Sequence, residues 1–186
     1  MVDPADTIGS VEETATTLEN VEARVIDTDI ATAHVPEWPA LPVEAKMALM
    51  ASAEVPTTVI RDRNTTTDGY HALLVDLLDA SADADLTDDV YLDVGEGAED
   101  GTDPSNEEVN DEVTSVEATA FNGYPSEGEL RVLSFISPNV ANGHVLDEVG
   151  LRYGDRMVNH STLTREIEKD ENTEATITVV LSFGHA

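Results

Sequence analysis

The sequence predicts an α+β protein in which an antiparallel β-sandwich domain, residues 85–186, follows a mostly helical N-terminal region, residues 1–84. Apolar and polar residues alternate from Glu174 to Phe183, and this alternation is typical of a strand with one buried face. Only Val180 breaks the alternation. Two more strand-like runs precede this strand, whereas before residue 85 many apolar residues recur at helical spacing.

The β domain is predicted to contain six strands joined mostly by short turns. Residues 145–152 and 157–163 flank Tyr153-Gly154-Asp155, a short glycine-containing linker that is typical of a β-hairpin. Residues 130–136 are apolar on both faces, so this strand is expected to be central. Six such strands favour an antiparallel sandwich. The remaining two strands are predicted at residues 89–94 and 113–121.

Three helices are predicted in the N-terminal region. Apolar residues recur at helical spacing from Ile8 to Val25, but the stripe is thin and the helix would be weak alone. Residues 43–53 form a second, short helix that begins after Pro42. Thr67 is expected to cap a third helix with a continuous apolar face.

The N-terminal region also carries the residues that we expect to serve in assembly. The helix that ends near Val25 is either a surface helix packed on its own domain or a docking helix. Trp38, the only tryptophan, stands in a proline-stiffened segment and fits either a core position or an interface anchor. The candidate assembly residues are Val11, Leu18, Val21 and Trp38.

Charge is the most unusual property of the composition. Asp and Glu number 39 against 9 Lys and Arg, which gives a formal net charge of -30. A surface of this charge repels itself at low salt, whereas in molar salt the Debye length falls to about 3 Å and the repulsion largely disappears. Because the acidic residues are spread over the whole chain instead of forming one tail, we interpret them as an adaptation to high salt, as in a halophilic archaeal host. The strand pattern disfavours the rival interpretations of an acidic mimic or a disordered chain.

The same charge argues against several classes of partner. Nucleic acids are held by clusters of Lys and Arg, and the densest positive spot of this chain, Arg61 with Arg63, is slight. Anionic membrane surfaces are disfavoured for the same reason. No run approaches the roughly 20 apolar residues that span a bilayer, and no secretory signal is seen. Cysteine is absent, so disulfides and Cys-ligated metals are excluded.

No catalytic constellation is predicted, so we expect that the protein is not an enzyme. His160 and Ser161 invite a catalytic-triad interpretation, but neighbouring residues of a strand point to opposite faces. The five histidines do not form the spaced pair of a zinc site. One alternative to this expectation is a hydrolase that uses scattered acidic residues. Its mark would be a pocket that holds paired carboxylates.

The acidic loop at residues 95–111 holds the candidate cation ligands. Carboxylate oxygens bind Ca²⁺ or Mg²⁺, but the spacing does not fit a calcium-binding helix-loop-helix. A solvated acidic loop is therefore the favoured interpretation, and no cofactor is expected. The candidate ligands are Glu96, Asp100, Asp103 and Glu107.

A pattern of turns and strands extends over residues 85–183. Val94-Gly95-Glu96-Gly97 forms a glycine turn at the start of the acidic loop, residues 146–151 read Leu-Asp-Glu-Val-Gly-Leu, and Glu166-Ile167-Glu168-Lys169 leads into the terminal strand. This pattern resembles a β-rich family of structural proteins of tailed viruses of bacteria and archaea, which occur in tail fibres, baseplates and head surfaces. Glu148 and Lys169 are expected to pair and fix strand register. The residues of this structural motif are Glu148, Gly150 and Lys169.

The resemblance implies a non-enzymatic virion structural protein, here of a halophilic archaeal tailed virus. Such a protein would form an oligomeric surface appendage, as a tail-fibre or baseplate component or a capsid turret, and would dock through its N-terminal region. Its expected partners are copies of itself, other virion proteins and the host cell surface. Its expected location is the virion, assembled in the host cytoplasm. The alternative is a cation- or glycan-binding module of a cell surface, whose mark would be several converging carboxylates.

Overall fold

The computed structural model describes residues 19–52, 54–63, 65–72, 90–97, 108–124 and 129–182. The strands within these residues are β1 (Glu19–Asp27), β2 (Thr58–Arg63), β3 (Thr65–Thr66), β4 (Val90–Gly95), β5 (Glu112–Glu117), β6 (Ala120–Tyr124), β7 (Glu129–Ile136), β8 (Val145–Tyr153), β9 (Arg156–Glu168) and β10 (Thr173–Ser182). The helices with both ends described are α1 (Thr28–His34) and α2 (Val43–Ser52). A 3-10 turn at Trp38–Ala40 lies between them, and residues 68–72 are also helical.

The strands form two five-stranded sheets in which all neighbouring strands run antiparallel. Sheet A has the order β2-β1-β10-β7-β6, and sheet B has the order β3-β9-β8-β4-β5. The inward faces of both sheets share one apolar core. The sheets therefore stack as a β-sandwich, and the predicted antiparallel β architecture is confirmed. The fully buried members of this core include Leu92, Ile136, Leu146, Leu151 and Ile177.

The prediction of a helix that continues to Val25 is wrong for residues 19–25, which belong to β1. Val21 and Ala23 point into the core, whereas Glu22 and Arg24 lie on the opposite face. Val21 and Val25 are four residues apart, and this spacing fits a period of two as well as a period of 3.6. The apolar spacing therefore did not distinguish a strand from a helix. The earlier part of the predicted helix, with Val11 and Leu18, lies outside the described residues.

The predicted division at residue 85 is also wrong for the described strands. β1 and β2 come from the region predicted to be a separate helical unit, yet β1 lies between β2 and β10 within sheet A. Seven residue pairs join β1 to β10 in continuous register, from Val21 opposite Val179 to Asp27 opposite Thr173. Because a sheet is held together by its ladder of backbone hydrogen bonds, the N-terminal and C-terminal strands belong to one folding unit.

The C-terminal strands follow the sequence predictions closely. Ala175, Ile177 and Val179 of β10 are fully buried, as the alternation indicates. β8 and β9 form the predicted hairpin, and Gly154 in its turn has φ +59°, a left-handed conformation that glycine adopts without steric cost. The predicted helix at 43–53 corresponds to α2.

The segment from α1 to α2 lies against the outer face of sheet A and has a small apolar core of its own. Trp38 is completely buried there, so of its two predicted alternatives the core position fits the structure and the interface anchor does not. Val21 is 2% exposed, so neither residue presents a side chain for docking in this structure. The buried members of this second core are Ile26, Ala31, Trp38, Met50 and Val55.

Candidate interaction surface

The outer face of sheet A is covered at one end and open at the other, within the described part of the chain. Helix α2 covers the end that holds Thr176 and Phe135. The Thr176 hydroxyl donates to Met50 Sδ at 3.6 Å, and Lys46 Nζ lies 5.8 Å from the centre of the Phe135 ring. Arg24 Nη1 donates to the Met50 carbonyl oxygen at 2.9 Å, so Arg24 lies at the border of the region that α2 covers.

A buried polar cluster holds the cover in place. Lys46 Nζ donates to Glu174 Oε1 at 2.7 Å, and the Trp38 indole Nε1 donates to Glu174 Oε2 at 3.1 Å. Lys46 Nζ also lies 5.4 Å from the Trp38 ring centre, a cation–π distance. Both carboxylate oxygens of Glu174 are thus occupied, which is what a buried charge requires.

The open end of sheet A has an apolar centre. Leu133 and Thr178 are cross-strand partners on β7 and β10, and Val180 is the next outward residue of β10. All three are half-buried. Val59 on the edge strand β2 is 38% exposed and is one of the few large apolar side chains that the described residues leave in solvent. Val180, the residue that breaks the alternation in the sequence, therefore belongs to an apolar patch on an outer face.

Four arginines surround this patch. Arg61 Nε donates to Glu22 Oε2 at 2.8 Å, and Arg24 Nε donates to Glu22 Oε1 at 2.6 Å. Arg131 is the cross-strand partner of Val180, and its Nη2 lies 3.0 Å from Glu129 Oε2. The four are Arg24, Arg61, Arg63 and Arg131. We call these arginines, with Leu133, Thr178, Val180 and Val59, the arginine face.

The glutamate at the centre of this ion-pair network stays charged. Burial raises the pKa of Glu22, but the hydrogen bonds from Arg61 and Arg24 outweigh burial and hold its pKa below the usual value. Arg61 keeps 61% of its side chain exposed and Arg131 keeps 40%. Both side chains therefore remain partly exposed to solvent while they are bonded to Glu22 and Glu129.

The distribution of positive charge sets this face apart. Of the chain's nine Lys and Arg residues, Lys46 and Lys169 are buried and Arg152 is held in an internal ion pair. Arg156 lies in the β8–β9 hairpin, and Arg165 is exposed on β9. The other four all belong to the arginine face, on a protein whose net charge is -30.

The predicted pair between Glu148 and Lys169 is not formed, so this prediction is wrong. Glu148 Oε1 is bonded instead to His160 Nε2 across the β8–β9 ladder, and Glu148 Oε2 accepts from the backbone N–H of Asn110 at 2.7 Å. Lys169 Nζ donates to three oxygens around the turn after β7, at 2.9–3.3 Å. Those acceptors are the Pro138 carbonyl, Asn142 Oδ1 and the Asp170 carbonyl.

Burial explains why neither charge reaches the other. Glu148 is 1% exposed and Lys169 is 2% exposed, and each has its own set of partners. Desolvation lowers the pKa of Lys169 despite the nearby charges of Asp170 and Glu174. The resemblance thus pointed to two buried structural residues but not to their partners.

Gly150 has a clear packing role. A Cβ at this position would clash with the end of the Met157 side chain and with Val109. Its absence lets both residues pack over sheet B beside the Glu148–His160 pair. Next to them, Arg152 Nε donates to Asp93 Oδ2 at 2.8 Å and Ser115 Oγ donates to Asp93 Oδ1 at 2.5 Å.

The described residues contain no arrangement suited to nucleophilic catalysis around His160. The Ser161 hydroxyl donates to the Arg63 carbonyl oxygen at 2.9 Å, and the His160 ring is bonded to Glu148. Because the two side chains point to opposite faces of β9, the histidine does not activate the serine.

The candidate cation ligands are only partly described. Glu96 Oε2 lies 3.1 Å from His144 Nδ1, whereas Asp100, Asp103 and Glu107 lie outside the described residues. Within the residues that are described, no group of three or more His, Asp or Glu side chains is placed to hold a metal ion. No described helix is long and apolar enough to cross a membrane.

Two sequence features point to the arginine face once the strands are known. Arg61 and Arg63 are the densest positive spot in the sequence, and Val180 is the apolar residue out of pattern. Neither feature by itself reveals a surface, because the other arginines come from strands distant in the chain.

Comparison of the chain with protein-family models, with curated proteins and with solved structures finds no match.

Proposed function

We propose that this protein is a non-enzymatic structural subunit of the virion of a halophilic archaeal tailed virus, and that it acts by assembly into a surface appendage. The observation that carries the assembly function is the arginine face. Its apolar side chains and its four arginines match the enrichment of arginine at protein interfaces, and Glu22 and Glu129 hold three of these arginines in fixed ion pairs.

High salt is the condition under which such a subunit would assemble. With a net charge of -30, copies of the chain repel each other strongly at low ionic strength. In molar salt the Debye length is about 3 Å, so long-range repulsion is screened while contacts at hydrogen-bond distance persist. The proposal thus joins the acidic composition to a function in which many copies must lie side by side.

The viral assignment rests on the resemblance of residues 85–183 to tailed-virus structural proteins. The tail fibre, the baseplate and a capsid turret are the locations that this resemblance favours, with other virion proteins and the host surface as further partners. We assign docking to the outer face of sheet A and not to Val21 or Trp38, because both of these residues are buried.

The test is to locate the protein in particles. Virus particles purified from a lysate of cells that carry this sequence would be labelled with gold-coupled antibodies against the chain and imaged by electron microscopy. The proposal predicts label at one fixed place on the particle, in several copies. Protein recovered only in the soluble fraction, with unlabelled particles, would contradict it.

A further inference from the structure

We infer that the arginine face binds the acidic edge of sheet B on a second copy of the same chain, so that copies associate head to tail in a closed ring. This inference rests on the assembly function proposed above and names the partner of that surface. The acidic edge is the exposed outer border of sheet B at strand β5 and the turn before it. Its exposed residues are Glu108, Asp111, Glu112 and Glu117.

The acidic edge has the geometry of a partner surface. β5 pairs with β4 on one side and is the last strand of sheet B in the described chain. Glu112 and Glu117 are exposed at its two ends, while the residues between them are half-buried. The strand is about 17 Å long at roughly 3.3 Å per residue, so carboxylates stand at both ends of a border of that length.

The arginine face matches this border in size. Arg61 and Arg131 lie on β2 and β7, which are separated by β1 and β10. At about 4.8 Å between neighbouring strands, the two arginines stand about 14 Å apart across the sheet. A guanidinium group binds a carboxylate through two parallel hydrogen bonds. This paired geometry makes the contact stronger and more specific than an attraction between two point charges.

The sign of the charges determines the symmetry. In an isologous dimer each surface meets its own copy, and two arginine faces would then bring together two surfaces on which four arginines outnumber the glutamates bonded to them, Glu22 and Glu129. A contact between the arginine face and the acidic edge avoids this repulsion. Such a contact joins two different surfaces, and it generates a ring when the rotation closes or a filament when it does not.

The positions of the two surfaces on the sandwich allow this arrangement. The arginine face lies on the outside of sheet A, and the acidic edge belongs to sheet B. Because each copy carries both surfaces at different places, one copy contacts two neighbours at once. We predict a ring of three or more copies, in which avidity compensates for weak single contacts at high salt.

Charge reversal on each surface tests the inference. The face variant combines Arg61→Glu with Arg131→Glu, and the edge variant combines Glu112→Arg with Glu117→Arg. In molar KCl, multi-angle light scattering should give a ring for the unaltered chain and a monomer for each variant alone. A one-to-one mixture of the two variants should assemble again, because each reversed surface then meets its complement. Arg165→Glu, which changes an exposed arginine of β9 in sheet B that does not belong to the arginine face, should leave the ring intact.

Each other outcome overturns the inference in a distinguishable way. A ring that survives both reversals would show that these two surfaces are not the interface, while the proposed assembly function would still hold. A twofold dimer would contradict the head-to-tail arrangement. A monomeric unaltered chain would contradict both the inference and the proposed assembly. Circular dichroism of each variant checks the fold, and because the edge residues are exposed, the edge variant decides the question if the face variant unfolds.

Discussion

Trp38 donates its indole N–H to Glu174 Oε2 at 3.1 Å, and this bond joins residues 136 positions apart in the chain. The same carboxylate accepts from Lys46 at 2.7 Å. The bonds fasten the segment between β1 and β2 to strand β10, beneath α2. Trp38 therefore contributes to the core that fixes the cover of sheet A, and the open end of that sheet begins where this cover stops.

Replacement of Glu174 should be strongly destabilising. Glu174→Ala leaves the Lys46 ammonium and the Trp38 N–H buried without their acceptor, and removal of one partner of a buried ion pair costs about 3–5 kcal/mol. Guanidinium unfolding followed by tryptophan fluorescence measures the loss. Glu171→Ala, at an exposed position in the turn before β10, is the matched control and should change stability by less than about 0.5 kcal/mol. Equal stabilities for the two variants would show that the cluster contributes nothing.

Deletion of residues 1–40 should unfold the protein. The deletion removes β1, which lies between β2 and β10, and it removes Trp38 from the second core. Deletion of residues 1–18 leaves every described element in place and should retain the sandwich. Circular dichroism and thermal melting of both truncated chains in molar KCl compare them. A folded chain after loss of residues 1–40 would restore the predicted division at residue 85.

Alanine at Gly95 should cost more than alanine at Gly150. A Cβ at Gly95 meets the backbone carbonyl of Asn110, which cannot move without shifting the turn that supplies an N–H to Glu148. At Gly150 the first obstacle is the flexible end of Met157. Overpacking typically costs about 1–3 kcal/mol, and we expect Gly95→Ala in the upper part of that range and Gly150→Ala in the lower part. Melting temperatures of the two variants rank them, and the reverse order would contradict this packing account.

The fold should loosen as salt falls. Between molar and about 0.1 M KCl the Debye length grows from about 3 Å to about 10 Å, so repulsion among the 39 acidic residues reaches across the surface. The melting temperature should decrease steadily over this range. An unchanged melting temperature and circular dichroism spectrum would show that the charge is not a salt adaptation.

The sequence predicted the elements whose pattern is local. The alternation of β10 and the Gly154 turn between β8 and β9 are each contained in about ten residues, so one stretch is enough to identify them. β1 was mistaken for a helix because its apolar residues, four apart, satisfy both periods. The strand forms because β10 and β2 offer hydrogen-bond partners on both sides, and this is a tertiary effect.

The polar contacts were beyond the reach of a single sequence. Glu174 finds Lys46 across 128 positions, and no spacing rule connects them. Glu148 and Lys169 were predicted to pair, yet Glu148 is bonded to His160, which lies diagonally across the β8–β9 ladder because it is the partner of Gly150. The arginine face likewise exists only after β1, β2 and β7 come together around β10. The charge and the strands with a local pattern were thus predictable, whereas β1 and the surfaces that the strands form were not.

The central claim is that whole sandwiches assemble through the outer face of sheet A. Electron cryo-microscopy of the full chain in molar KCl tests this most directly. The account predicts a closed ring of three or more copies, in which the outer face of sheet A of each copy covers the β5 edge of sheet B of its neighbour. An assembly in which sheet A faces solvent, or in which two copies meet through identical surfaces, would contradict the account.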